Sequence, residues 1–122
     1  NTHLDHISAP AREQGALMLH EFFQRLAKPA ILAGDFNDLP TSAVHATLTG
    51  PDSPFQDTWQ LSRQPEDGVS TQHKFNGHYF GSRIDWILIT APFRLKKAQI
   101  ITYNQANRYP SDHFPYCVDL EY

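Results

Sequence analysis

Cysteine is nearly missing from this chain, and so are long apolar runs and any surplus of positive charge. The single Cys117 excludes an internal disulfide and reports nothing about compartment. No apolar run approaches the roughly 20 residues that span a bilayer, so no membrane span is expected. Ten Lys and Arg face thirteen Asp and Glu, a net charge of −3 with histidine neutral. No basic stripe runs along the chain, which leans away from tight nonspecific binding of nucleic acid. The one cysteine and the scattered histidines lack the short paired spacings of a zinc site. Repeats, linkers and low-complexity segments are also missing, so one domain is expected. The sequence opens on Asn1 rather than Met, so no leader peptide can be sought and localisation stays unassigned. A piece of a longer chain is the expectation.

What remains is an ordinary globular composition of 122 residues, enough for a small domain with a core. Residues 1–7, "NTHLDHI", read as the end of a strand. Ser8 can cap a helix, with Pro10 in the first turn where its missing N–H costs nothing. From Ala11 to Ala27 the apolar residues Ala16, Leu19, Phe23 and Leu26 recur at spacings of three and four. That is an amphipathic helix, stopped before Pro29. "AILAG" follows as a short strand expected to be covered on both faces. The order strand, helix, strand suggests parallel pairing. Thr41 or Ser42 can cap a short helix to about Leu48, stopped by Gly50-Pro51. "FQDTWQL" reads as a short helix or strand, and residues 62–82 as polar loop. "RIDWILIT", "KKAQIITYN" and "PYCVDLEY" read as strands. The fold class is mixed α/β.

Four stretches set polar residues at strand ends: "NTHLDH", "GDFNDLP", "RIDWIL" and "PSDHFP". Residues two apart in an extended segment point the same way, so His3 can share a face with Asp5, and Asp35 with Asn37. Strand ends are where α/β proteins collect their site residues. By itself "GDFN" is a good turn sequence. Asp85 is harder to dismiss, because a carboxylate between Ile84 and Trp86 in an apolar strand needs a donor. Arg83 or a backbone N–H is one candidate donor.

Taken in order, these four stretches resemble the endonuclease/exonuclease/phosphatase superfamily, which includes pancreatic deoxyribonuclease, abasic-site endonucleases, inositol polyphosphate 5-phosphatases, neutral sphingomyelinases and deadenylases. The likeness runs from Asn1 to Pro115, and its wording is closest to bacterial members. It implies a four-layer α/β sandwich, of which residues 1–122 resemble the C-terminal part: one mixed β-sheet with helices on one face. The N-terminal half, absent from this sequence, is then expected to carry an Asn and a metal-binding Glu. The implied activity is metal-dependent hydrolysis of a phosphodiester or phosphomonoester by water, with this piece alone inactive.

The resemblance also implies roles. Asp35 accepts the proton of the attacking water. Asn37 donates to a phosphoryl oxygen or holds that water. His113 donates to a nonbridging oxygen, and Asp85 accepts the other ring N–H and fixes the tautomer. His3 contacts the phosphate from the opposite side. Asp112 helps to bind Mg²⁺ or Mn²⁺, hard cations that prefer oxygen, and Asp35 can hold an ion as well. His78 and Tyr79, in a loop that lines the substrate entrance, are further contact candidates. Arg12 and Arg108 are candidate phosphate or carboxylate partners. His20 and His45 are expected at the surface, with His6 and His73 open. The partners implied are a phosphorylated substrate of unassigned class, and either the N-terminal half or another copy covering the open sheet face. Two other readings are a nuclease acting on DNA or RNA and a non-catalytic binding module of the same fold. The second is disfavoured because every catalytic-type position visible here is filled.

Overall fold

The structure is a computed structural model and describes all residues 1–122. The elements follow the chain as β1 (Thr2–His3), α1 (Ala9–Leu26), β2 (Ile31–Asp35), α2 (Ala43–Thr49), β3 (Gln56–Asp57), α3 (Thr58–Leu61), β4 (Asp85–Ile89), β5 (Arg94–Ile100) and β6 (Tyr116–Glu121). This is the mixed α/β class that the sequence implies. No helix is long and apolar enough to cross a membrane.

A four-stranded mixed sheet in the order β1-β2-β4-β3 forms the centre. β1 and β2 pair in parallel, with α1 as the crossover, and β4 runs antiparallel to β2. β5 and β6 form a separate antiparallel ladder. Helix α1 starts where Ser8 accepts the Ala11 N–H and Pro10 fills an early position that needs no donor. It stops at Ala27, in the left-handed region, two residues before Pro29. Helix α2 starts where the Ser42 hydroxyl accepts the His45 N–H. "FQDTWQL" holds both of its expected alternatives, a two-residue strand and one helical turn.

One sheet face carries the core. Leu32, Trp86 and Leu88 point toward α1 and α2 and pack with Ala16, Val44, Leu48 and Phe55. Trp86 stacks on Phe36 with ring centroids 4.4 Å apart. Burying rings of this size is the main favourable term for a small sheet. The opposite face carries Ile31, Ala33 and Asp35 of β2 in register with Ile89, Ile87 and Asp85 of β4. No helix of the core cluster covers that face, and Ile31 stays 45 % exposed. Within these residues the second face of "AILAG" is therefore partly open.

His45 is a second correction. It is buried, not at the surface, because it shares the inward face of α2 with Val44 and Leu48. Its Nε2 lies 2.9 Å from Asp57 Oδ2. Arg83 reaches the same oxygen at 2.7 Å and Glu66 Oε1 at 2.6 Å, and is itself fully buried. Burial works against a charge on Asp57. The His45 and Arg83 bonds and the Trp59 N–H outweigh it and hold the carboxyl below its ordinary value. This network ties α2, α3 and the 62–70 loop to the residue that precedes β4 by two.

Candidate active site

The open end of the sheet gathers residues from four distant stretches. β1 and β2 end there and β4 begins there, so His3, Asp35 and Asp85 occupy adjacent register positions. Gly34 permits the close approach of β1. Its φ is +152°, and a Cβ at this position would collide with the Thr2 carbonyl oxygen.

Ligand atoms of Asp35, Asp85 and His113 all lie within 4.8 Å of one another. His113 Nδ1 is 2.8 Å from Asp85 Oδ2. Arg83, the other candidate donor for Asp85, instead turns to Asp57 and Glu66. His3 Nε2 stands 3.5 Å from Asp35 Oδ2. The second Asp35 oxygen accepts the Asn37 N–H at 2.8 Å. Burial raises the Asp35 carboxyl above its ordinary value, and the nearby Asp85 charge adds to the rise; the Asn37 N–H and the two histidines pull the other way.

Other expected site residues stand further out. Asn37 has φ +51° and gives a side-chain N–H to the Leu4 carbonyl at 2.9 Å, so its amide locks the β1 end to the turn after β2. Asp112, next to His113, is outside the three-residue cluster. Its carboxylate meets the Ser111 hydroxyl at 3.4 Å, and its carbonyl accepts the N–H groups of His73 and Lys74. His78 is exposed, with its main-chain N–H on Asn76. His73 is buried and stacks on Phe114 at 4.0 Å. Arg12 bonds Asp38 at 2.9 Å and the Asp5 carbonyl, linking the two loops that follow β1 and β2. Arg108 is exposed.

Beside the cluster lies a groove of about 270 Å³, lined among others by Ala33, Asp85, Ile87, His113 and Tyr116. A larger hollow of about 580 Å³ sits at the opposite end of the same strands, near Lys28, Asp52 and Thr90. It collects no cluster of acidic and histidine groups, so the smaller groove is the chemically equipped one. Two further polar residues belong to this region: Ser70 and Thr71, the latter opening the "TQHKFNG" stretch that resembles the family's entrance loop, are fully buried. A buried loop must satisfy its own backbone, and a Ser or Thr hydroxyl can supply the partner.

The sequence model of the Endonuclease/Exonuclease/phosphatase family matches residues 2–113. Among solved structures, the mannosyl-6-phosphatase Bt3783 of Bacteroides thetaiotaomicron VPI-5482 aligns with TM-score 0.84 and 30% identity, over 98% of this chain and 49% of its own. An endonuclease/exonuclease/phosphatase from Bacteroides vulgatus aligns with TM-score 0.84 and 29% identity, over 99% of this chain and 48% of its own. The human nocturnin catalytic domain, solved with a sulfate anion, aligns with TM-score 0.67 and 22% identity, over 98% of this chain and 44% of its own, a likeness of fold. The chain spans about half the length of these structures. No curated protein matches it.

Proposed function

Because the chain belongs to the Endonuclease/Exonuclease/phosphatase family, we propose that this site hydrolyses a phosphate ester by attack of water. The observation that carries the proposal is the convergence of Asp35, Asp85 and His113, from three separate stretches, within 4.8 Å. Hydrolysis at phosphorus needs a base for the water and donors for the negative oxygens. Asp35 is the base. One of its oxygens is held by the Asn37 N–H, and the other faces His3. Its raised affinity for a proton favours that task. Asp85 holds one ring nitrogen of His113, which leaves the other free to donate to a phosphoryl oxygen. His3 is exposed on the far side of Asp35 and takes a second oxygen. Asn37 keeps further amide capacity beyond its bond to Leu4 and orients the water or a phosphoryl oxygen. His78 remains a candidate contact at the entrance.

The donors fit a hard divalent cation. The Asp112 carboxylate is met only by the Ser111 hydroxyl, and the one ion contact of Asp35 is with His3, not with a Lys or Arg. Asp112 and Asp35 would hold Mg²⁺ or Mn²⁺. Such an ion, when bound, supplies positive charge to the phosphoryl oxygens and the leaving oxygen.

Residues 1–122 are, in the same proposal, the C-terminal part of the domain. The other half covers the face bearing Ile31, Ala33 and Ile87. Half-length coverage of the solved structures and the open face support this. The likeness to a mannosyl-6-phosphatase puts phosphomonoesters first among substrates to try. The test is the full-length protein with Mg²⁺ or Mn²⁺ on p-nitrophenyl phosphate, a sugar 6-phosphate and bis-p-nitrophenyl phosphate. Turnover is expected, EDTA should abolish it, and Asp35→Asn should lower it by at least ~10²-fold. Unchanged turnover in Asp35→Asn removes Asp35 from the mechanism.

A further inference from the structure

β3 pairs only with the C-terminal end of β4, at Leu88 and Ile89. The other end of β4, where Asp85 stands, has no strand on that flank. A single residue stands in for one. The Thr71 hydroxyl accepts the N–H of Ile84 at 3.1 Å and the N–H of Asp85 at 3.2 Å. The Thr71 carbonyl accepts the N–H of Phe114 at 2.7 Å. Its neighbour Gln72 makes an isolated antiparallel bridge with His113. Thr71 thus bonds the backbone of Asp85 and of Phe114, the residue that follows His113, and it is fully buried.

We propose that Thr71 is the positioning residue of the Asp85–His113 pair. It holds the two backbones at the separation that puts His113 Nδ1 on Asp85 Oδ2. This rests on the phosphoesterase reading for its catalytic consequence, but not for its geometry. The neighbouring residues support the placement. The Ser70 hydroxyl lies within bonding distance of the carbonyls of Gln72 and Phe80, at 2.9 and 2.7 Å, and pins the loop on both sides of Thr71. His73 stacks on Phe114 and gives its N–H to Asp112. Thr71 therefore cannot drift without its neighbours, and its β-branched side chain is restricted at χ1.

Valine has the shape of threonine without the acceptor. In Thr71→Val, two buried N–H groups lose their partner and β4 is released at Asp85. A displacement of about 1 Å is enough to cost roughly 10²-fold in rate. The experiment uses the full-length protein. The first readout needs no activity: the NMR signal of the hydrogen-bonded His113 Nδ1–H should be present in the unmutated protein, broadened or lost in Thr71→Val, and restored in Thr71→Ser. The second is kinetic: kcat should fall about 10²-fold in Thr71→Val with KM within about threefold, and Thr71→Ser should recover most of it. The third needs no variant and covers the case in which Thr71→Val does not fold: the amides of Ile84 and Asp85 should be protected from hydrogen exchange. A folded Thr71→Val with an unchanged His113 signal overturns the proposal, and so does exchange of both amides at the rate of exposed loops. If the unmutated protein hydrolyses no phosphate ester while Thr71→Val still displaces the ring proton, the positioning role stands and the catalytic reading falls.

Discussion

Arg83→Met removes the one cation in the buried network and should destabilise the domain severely. The guanidinium makes two ion contacts, at 2.7 Å to Asp57 and 2.6 Å to Glu66. Their losses are unequal. The Glu66 side chain is 35% exposed and regains water. The Asp57 side chain is fully buried and keeps only His45 and the Trp59 N–H. Stranding a buried charge in this way costs about 3–5 kcal/mol. A whole domain has a total stability of only about 5–15 kcal/mol. At about 2–4 °C per kcal/mol for a domain of about twice this length, the melting temperature should fall by roughly 6–20 °C. The assay is thermal and urea unfolding of the full-length protein. The double variant Arg83→Met/Asp57→Asn separates causes. If the stranded carboxylate is the source of the loss, the neutral amide restores part of it, and the two changes are non-additive. A shift below about 4 °C, or strict additivity, would refute the reasoning, because the guanidinium would then be acting as packing alone.

Acid should expose the same carboxylate. The folded value of Asp57 lies below its unfolded value, so its stabilisation is complete above about pH 4 and is lost as pH falls through the lower folded value. Urea midpoints measured from neutrality downward should show that step, and Asp57→Asn should remove it. Asp85→Asn should lower kcat by roughly 10²-fold or more by turning an acceptor of the His113 N–H into an ambiguous amide, with the fold intact by circular dichroism; a kcat within about twofold of the unmutated protein contradicts the role of Asp85. Gly34→Ala should cost more than about 1 kcal/mol, since alanine meets both a positive φ and the Thr2 carbonyl. Loss of the parallel β1–β2 pairing in its amide exchange pattern is the accompanying sign. Residues 1–122 expressed alone should self-associate or bind an apolar dye through the face of Ile31, Ala33 and Ile87. A monomer with cooperative unfolding and no dye binding would show that this face needs no cover.

Local chemistry alone determined much of this protein. Ser8, Pro10 and Pro29 delimit α1 because caps and ring constraints act over three or four residues. The parallel pairing of β1 and β2 follows from a helical crossover, and the strands of "RIDWILIT" and "PYCVDLEY" from their composition. The stretches that carry His3, Asp35, Asp85 and His113 were legible from their order and their resemblance to the family's motifs, and only Asp85, inside an apolar strand, was marked by its need of a partner. Other features depended on contacts between residues far apart in the chain. The sequence left Asp85 a choice between Arg83 and another donor; only packing shows Arg83 drawn inward to Asp57 and Glu66, which leaves Asp85 to His113, 28 positions away. His45 reads as a surface residue until Asp57 is brought against it. Thr71 lies in a stretch that reads as polar loop, and only the fold places its hydroxyl at the unpaired edge of β4. Short-range propensity is a property of neighbouring residues, whereas the partner of a buried charge or N–H is chosen by which segments the hydrophobic core forces together.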